Sequence, residues 1–163
     1  MSTACSSSAV SIGEAYLAIS EGRSDVILAG GSEALITFGN LKAWEAMQAL
    51  ATTDASDPSR SCKPIAAGRT GLVLGEGAAF MVLEELDAAR ERGARVYAEL
   101  AGTGLSCDAS HLTKPDVGGQ VRAMRAALAS AGMSPAAVGY CIAHAPATLA
   151  GEFVEAQWIP PVW

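Results

Sequence analysis

Apolar and polar positions along the chain follow two spacings, and each spacing predicts a different kind of element. Over Cys5–Glu21 apolar residues recur at helical intervals, and the pattern stops at Gly22, which predicts a first helix. The continuous apolar run Val26–Ala29 comes next and ends at Gly30-Gly31, as expected of a short buried strand. The chain is therefore predicted to begin with a helix followed by a strand.

The rest of the chain continues this alternation of helices, strands and loops. The further predicted helices are Leu41–Leu50, Glu84–Arg92 before Gly93, Val121–Ala131 before Gly132 and a short helical turn at Ser134-Pro135. The further predicted strands are Ala78–Leu83, Val96–Ala101 and Tyr140–Ala143, the last of which leads to His144. The predicted loops are Ala51–Arg69 and Cys107–Gly119. Strands that alternate with helices indicate an α/β layered sheet, and continuous apolar strands indicate burial on both faces.

Composition and charge limit the size of the protein and its partners. The chain has 163 residues, 50% of them hydrophobic, which is enough for about one domain. Its 11 Lys and Arg against 17 Asp and Glu give a net charge of −6, which argues against non-specific binding to nucleic acid or anionic membranes. Neither a membrane-span pattern nor a signal-peptide pattern is present. We expect a soluble protein with no nucleic-acid or membrane partner.

The cysteines differ in their surroundings. Cys62, Cys107 and Cys141 are widely scattered and form no C-x-x-C pair with each other or with Cys5, so neither a zinc site nor a disulfide framework is predicted, and a reducing cytoplasm is the expected compartment. Cys5 lies in the small polar run Ser2–Ser8, directly at the predicted helix start. Unpaired N–H groups and the helix dipole favour a thiolate there, so Cys5 is a candidate nucleophile.

Four motifs occur along the chain in a fixed order. They are Thr3-Ala4-Cys5-Ser6-Ser7-Ser8; Val26-Ile27-Leu28-Ala29-Gly30-Gly31-Ser32-Glu33-Ala34; Cys62-Lys63-Pro64 with Arg69, Gly71 and Gly75-Glu76-Gly77-Ala78; and Ile142-Ala143-His144 with Thr148, Gly151 and Glu155. Together they resemble the motifs of β-ketoacyl-acyl carrier protein synthases, the condensing enzymes of the thiolase-like superfamily. The resemblance implies a partial thiolase-like α/β fold, with a mixed, mostly parallel sheet and a buried central helix. It divides the chain into a partial synthase domain, 1–157, and a divergent tail, 158–163.

The resemblance also implies a reaction and roles for three residues. The family carries out decarboxylative Claisen condensation of an acyl thioester with malonyl-carrier protein in fatty-acid or polyketide biosynthesis. By the resemblance, Cys5 is the nucleophile, His144 stabilises the charge of decarboxylation, and Thr148 contacts the pantetheine arm or malonyl group. The substrates are carried on the phosphopantetheine of an acyl carrier protein, so no metal or separate cofactor is expected. A cytoplasmic homodimer is implied, with the strand near Val26–Ala29 at its two-fold axis.

The segment after His144 departs from the family pattern. The family reads His-Gly-Thr-Ser-Thr-Pro where residues 144–149 read His-Ala-Pro-Ala-Thr-Leu, so Pro146 replaces a threonine that contacts pantetheine. The family's second histidine and its lysine find no match in this chain, and only Met1–Ala4 precede Cys5 where the family has a run of strands and helices. The resemblance therefore predicts a truncated enzyme, a central fragment that lacks both ends. Two alternatives therefore stand beside the synthase: a catalytically inactive remnant or dimerisation fragment, and an acyl-thioester hydrolase that uses only Cys5 and His144.

Two further polar features have competing interpretations. His111 lies in a polar loop, and a structural role is favoured over a catalytic one. The cluster Arg90, Arg92 and Arg95 suits an acidic carrier protein, but a solvated helix end explains it equally well.

Overall fold

The structure, a computed structural model, describes residues 2–111 and 113–162. Its elements in chain order are α1 (Ser7–Ser20), β1 (Val26–Ala34), α2 (Phe38–Ala46), β2 (Glu76–Glu84), α3 (Leu86–Glu91), α4 (Val117–Ser130) and α5 (Leu149–Val162), with short 3-10 turns at Pro58–Arg60 and Pro135–Ala137. Among these elements no helix combines the length and the apolar character needed to cross a bilayer. Of the predicted tail, residues 158–162 belong to α5, and Trp163 lies outside the described residues.

The predicted helices are found, with shifts of a few residues at their ends. Each glycine predicted to close a helix does so: the φ angles of Gly22, Gly93 and Gly132 are 69°, 71° and 63°. After α1, the Gly22 N–H donates to the Ile19 carbonyl at 2.9 Å, which satisfies a carbonyl that the helix leaves unpaired. The prediction that these glycines end their helices is therefore confirmed.

The strands β1 and β2 form an antiparallel pair, the sheet found among the described residues. The register runs from Val26 opposite Glu84 to Ala34 opposite Glu76. The predicted strand end at Gly30-Gly31 is wrong, because both glycines pair with β2 and the strand continues beyond them. The predicted mostly parallel sheet is a larger arrangement than these two strands, and it stays a prediction.

Two segments predicted as strands are not strands in the structure. Neither Val96–Ala101 nor Tyr140–Ala143 is assigned to a strand in the described part of the chain. A strand is defined by its hydrogen-bonded neighbour, and the side chains of Tyr97 and Ile142 are 84% and 83% exposed. Their apolar character therefore reflects surfaces that the described elements leave uncovered.

Helix α1 packs between β1 and the segment 101–104. A Cβ on Gly31 would lie 2.8 Å from Ser8 Cβ, so only glycine lets the start of α1 approach the strand this closely. On the other side the Tyr16 hydroxyl donates to the Ala101 carbonyl at 3.2 Å. Gly13 and Ala15 are buried, whereas Leu17 is exposed, so the predicted buried central helix is only partly covered here.

A small hydrophobic core joins α4 to α5. It consists of the buried side chains Val121, Trp158 and Val162, with Val117, Met124 and Leu128 packed against it. The β1–β2 sheet is covered less completely, because its face turned away from α1 exposes Leu28, Phe80 and Val82. The core thus anchors α5, whose first residues follow the His144 segment.

Candidate active site

Cys5 lies in a tight turn that is closed by the hydroxyl groups of the two serines that follow it. The Ser6 hydroxyl donates to the Thr3 carbonyl at 2.8 Å, and the Ser7 hydroxyl donates to the Ala4 carbonyl at 2.7 Å. The Thr3 N–H donates back to Ser7 Oγ at 2.8 Å. Ala4 has a φ of 54°, in the left-handed region, which turns the chain sharply just before the cysteine. The small polar run therefore holds Cys5 at the apex of a turn.

This turn presents Cys5 directly before helix α1. Ser6 is the N-cap residue, and its side chain makes no capping hydrogen bond to the helix. The Val10 N–H is the first in the helix to reach a carbonyl four residues back, at 2.9 Å from Ser6 O, so the N–H groups of Ser8 and Ala9 lack intrahelical acceptors. Cys5 is exposed and free. The predicted position of an accessible thiol at a helix N-terminus is found, and that location favours negative charge.

His144 is held through its backbone by a carboxylate of α5. The His144 N–H donates to Glu155 Oε1 at 2.6 Å, and the Ala145 N–H donates to Glu155 Oε2 at 2.8 Å. The imidazole itself is left on an exposed residue. The Glu155 carboxylate thus fixes two successive peptide groups. Both hydrogen bonds are made by the backbone, so neither one uses the imidazole ring of His144.

A second carboxylate, that of Glu152 one helical turn earlier on α5, binds the same loop. Glu152 is 7% exposed, and its Oε1 accepts the Ala147 N–H at 2.8 Å. Its two oxygens also accept the Ile65 N–H, each at 3.0 Å. Arg69 Nε lies 2.8 Å from Glu152 Oε2, but its N–H does not point at the oxygen, so this contact is an ion pair rather than a hydrogen bond. Glu152 therefore connects the loop after His144 to the loop that precedes β2.

The loop itself has an unusual backbone for its residues. Ala145 and Ala147 have φ angles of 44° and 64°, and Pro146 stands between them. Alanine in the left-handed region crowds its Cβ against the backbone, and glycine would not. Where the family pattern has glycine after the histidine, this chain therefore carries a strained alanine.

Thr148 ends the loop and begins α5. Its Oγ1 accepts the Gly151 N–H at 3.3 Å, the position of an N-terminal helix cap. Because the hydroxyl oxygen acts as the acceptor in this contact, the contact does not use the hydroxyl proton. Its predicted role in substrate binding is untested, and its structural role as a cap was not predicted.

The structure does not join the two predicted catalytic side chains. Within the described ranges, no hydrogen bond links Cys5 to His144. A cavity of about 500 Å³ opens beside the cysteine turn, between α1, α4 and the segment 103–106, and its lining includes Ser6, Val10 and Leu105 but neither predicted catalytic residue. The roles of Cys5 and His144 remain predictions.

Each arginine of the cluster Arg90, Arg92 and Arg95 interacts with a neighbouring side chain, either a carboxylate or an aromatic ring. Arg92 donates to both oxygens of Glu84, at 2.7 and 2.6 Å, and this contact holds the pKa of the Glu84 carboxyl below its usual range. Arg90 pairs with Asp87 at 3.3 Å, and Arg95 lies over the Tyr97 ring, 4.7 Å from its centroid. These pairings support the solvated helix end as the interpretation of the cluster.

Two residues that shape the site were missed by sequence reasoning. Glu152 is not among the predicted site residues and Arg69 appears only as part of a motif, although the pair joins segments far apart in the chain. No local pattern marks such a contact. In the parts of the chain that the structure describes, no group of three or more His, Cys, Asp or Glu side chains is arranged to hold a metal ion.

Comparison with known families places the fold and these motifs in one class. The family model for the beta-ketoacyl synthase N-terminal domain matches residues 1–89, and the model for the beta-ketoacyl synthase C-terminal domain matches residues 97–162. The chain belongs to the β-ketoacyl synthase family.

Among curated relatives, the chain is similar to nodulation protein E of Rhizobium meliloti, with 47% identity over all 163 residues. It is also similar to 3-oxoacyl-[acyl-carrier-protein] synthase 2 of Staphylococcus aureus, with 42% identity over 159 residues, or 96% of this chain. In both comparisons the chain spans 39% of the relative's length.

Solved structures agree with this assignment. A beta-ketoacyl synthase from Burkholderia phymatum matches 99% of this chain with a TM-score of 0.93 and 37% identity, over 39% of its own length. A type II polyketide ketosynthase, solved bound to the hexaketide and in complex with its acyl-carrier protein, matches 97% of this chain and 39% of its own, with a TM-score of 0.93 and 34% identity. The fold is therefore that of the ketosynthases.

Proposed function

We propose that this chain carries the nucleophile of a condensing enzyme, a β-ketoacyl-acyl carrier protein synthase of fatty-acid or polyketide biosynthesis. The observation that carries the proposal is the position of Cys5: an exposed thiol at the apex of a hydroxyl-braced turn, one residue before the N-cap of α1. First-turn N–H groups and the helix dipole stabilise negative charge at such a position, on the attacking sulfur and on the oxyanion that follows.

In the proposed first step, Cys5 Sγ attacks the carbonyl carbon of an acyl thioester. The new C–S bond forms as the bond to the carrier's pantetheine sulfur breaks, and that sulfur leaves as a thiolate that takes up a proton. In the second step, malonyl-carrier protein loses carbon dioxide, and the carbanion attacks the acyl carbon while the Cys5 thiolate leaves. The product is a β-ketoacyl thioester on the carrier.

His144 and Thr148 take the remaining roles in the proposal. His144 stabilises the enolate oxygen that develops during decarboxylation, and Thr148 contacts the pantetheine arm or the malonyl group. The partner is an acyl carrier protein, and its phosphopantetheine carries both substrates. Support for this partner comes from the similar polyketide ketosynthase that was solved with its acyl-carrier protein.

The assembly and the complete fold are part of the same proposal. The exposed apolar face of the β1–β2 sheet, with Leu28, Phe80 and Val82, is the kind of surface that an interface covers, which supports a homodimer. In the whole enzyme, α1 is the buried central helix of a mostly parallel, thiolase-like layered sheet. Four free cysteines are consistent with a reducing, cytoplasmic compartment.

The test is intact-mass analysis of the purified chain after incubation with an acyl-carrier-protein thioester. A Cys5→Ala variant is the direct control, and Cys62→Ala is a matched control because Cys62 is also free and exposed. We expect an acyl adduct on the original chain and on Cys62→Ala, and none on Cys5→Ala. Folded protein that forms no adduct would overturn the proposal for this chain.

A second candidate is a catalytically inactive remnant of such an enzyme. Two observations favour it. In the loop after His144, Pro146 lies between two alanines of positive φ, and no hydrogen bond joins His144 to Cys5 in the described residues. Adduct formation followed by release of free acid would instead favour the hydrolase alternative. No adduct at all would favour the remnant.

A further inference from the structure

We infer that Glu152 is a positioning residue for His144, and that it acts together with Arg69 and the loop before β2. This inference rests on the proposed function, because it concerns the histidine that the proposal uses. In the part of the chain that the structure describes, no hydrogen bond or ion pair joins Glu152 to the imidazole or to Cys5; Glu152 acts through the backbone of the loop.

The carboxylate of Glu152 and the guanidinium of Arg69 are largely buried. The Glu152 side chain is 6% exposed and that of Arg69 is 19% exposed, whereas the exposed pair Lys42 and Glu45 is 59% and 62% exposed. A buried carboxylate must be compensated by charge or hydrogen bonds, and an exposed one need not be. Glu152 is compensated by three contacts at once: the Ala147 N–H, the Ile65 N–H and the Arg69 guanidinium.

Two carboxylates of α5 hold the loop that carries His144. Glu152 and Glu155 lie one turn apart on α5, and the two carboxylates accept the N–H groups of His144, Ala145 and Ala147. The loop between the imidazole and the helix is therefore fixed at both ends. Glu155 holds the histidine end and Glu152 holds the helix end, so a change at either one changes the direction in which the ring is presented.

Glu152 also connects the His144 loop to the loop before β2. Arg69 also donates from Nη1 to the Ala66 carbonyl at 3.0 Å, which stiffens the turn that carries Ile65. Because Ile65 and Ala147 bind the same carboxylate, a movement of the segment before β2 moves the acceptor that holds the His144 loop. The position of His144 thus depends on a segment about 80 residues away in sequence, and Glu152 is the residue that accepts hydrogen bonds from both this segment and the loop.

The experiment follows the two histidine rings of the chain by NMR, since His111 and His144 are its only histidines. The pH titration of each ring and amide exchange at Ile65, Ala147 and His144 are measured in the full chain and in Glu152→Gln. The amide keeps the size of the side chain and removes its charge. Glu45→Gln is the matched control, because it neutralises an exposed carboxylate that also forms an ion pair.

We expect Glu152→Gln to alter the His144 titration and to leave that of His111 unchanged. Amide exchange should accelerate about tenfold at Ile65 and Ala147 together, since a neutral amide oxygen holds the two N–H groups less strongly than the shared carboxylate does. Arg69→Met should produce the same pattern from the other loop. Glu152→Asp, which restores the carboxylate, should return the His144 titration toward that of the original chain, and this variant also serves if Glu152→Gln does not fold.

The inference fails if the His144 titration in Glu152→Gln and Glu152→Asp matches that of the original chain while the melting temperature falls. That result would make Glu152 a structural residue only. It also fails if Ile65 and Ala147 respond independently. None of these readouts needs turnover or acylation, so failure of the proposed function, seen as a missing Cys5 adduct, would be recognised separately.

Discussion

The alanine after His144 offers a direct test of the strain in its loop. Ala145 has a φ of 44°, and the neighbouring Ala147 has a φ of 64°. Ala145 is half-buried, whereas Ala147 is fully buried, so removing the Ala145 methyl group sacrifices less packing. The informative substitution is therefore Ala145→Gly, which relieves the backbone at the residue next to the predicted catalytic histidine.

The size of the effect follows from two opposing terms. A residue with a Cβ in the left-handed region costs about 1–2 kcal/mol. Glycine loses about 0.5–1 kcal/mol more backbone entropy on folding than alanine does. The difference predicts that Ala145→Gly raises the free energy of unfolding by about 0.5–1 kcal/mol, which for a chain of this size is an increase of about 1–4 °C in melting temperature.

The assay is thermal unfolding followed by circular dichroism, with urea unfolding as a second measurement. Ala126→Gly is the control, because Ala126 is an exposed residue inside α4, where glycine costs about 1 kcal/mol. The two substitutions should therefore move the melting temperature in opposite directions. Equal destabilisation by both would refute the strain argument for this loop.

Three other perturbations test how the site is supported. Gly31→Ala should lower the free energy of unfolding by about 1–3 kcal/mol in urea titration, because its new Cβ would lie 2.8 Å from Ser8 Cβ, whereas Gly77→Ala, with open space around it, should cost much less. Trp158→Ala removes the centre of the α4–α5 core and should cost about 3–5 kcal/mol, seen by calorimetry as a large loss of melting temperature. Hydrogen bonds from Lys63, then from Ser56, hold the pKa of Asp54 below its ordinary 3.8, so its contribution to stability is present above that pH and lost on acidification. The stability difference between the original chain and Asp54→Asn, followed from about pH 6 to pH 3, should therefore shrink, and a constant difference would contradict this assignment.

The features predicted correctly from sequence are those fixed by neighbouring residues. Gly22 closes α1 because the positive φ it needs is a local property, and Cys5 precedes the helix because a run of small polar residues disfavours an earlier start. The family assignment also rests on local motifs. For these features a short window of sequence contains the physical cause.

The features that were missed depend on contacts between distant residues. Gly30-Gly31 looks like a turn in isolation, and it becomes the middle of β1 only because Phe80 and Ala79 pair with it. The segment Val96–Ala101 has the composition of a strand, but it lacks a hydrogen-bonded neighbour in the described residues. Pairing with β2 therefore overrides the turn preference of Gly30-Gly31, whereas the strand preference of Val96–Ala101 has no partner strand to realise it in the part of the chain that the structure describes.

The two halves of the candidate site are held by different kinds of interaction. Cys5 is held by hydrogen bonds within Thr3–Ser7 and by the start of α1, all of which a short segment supplies. His144 is held by Glu155 and Glu152, and Glu152 is itself compensated from the loop before β2. Local interactions form at little entropic cost, whereas long-range contacts require the loops between them to be ordered first. The Cys5 turn is therefore the more robust half of the candidate site, and under the proposed function acylation of Cys5 is the step expected to survive when the loop that carries His144 is disturbed.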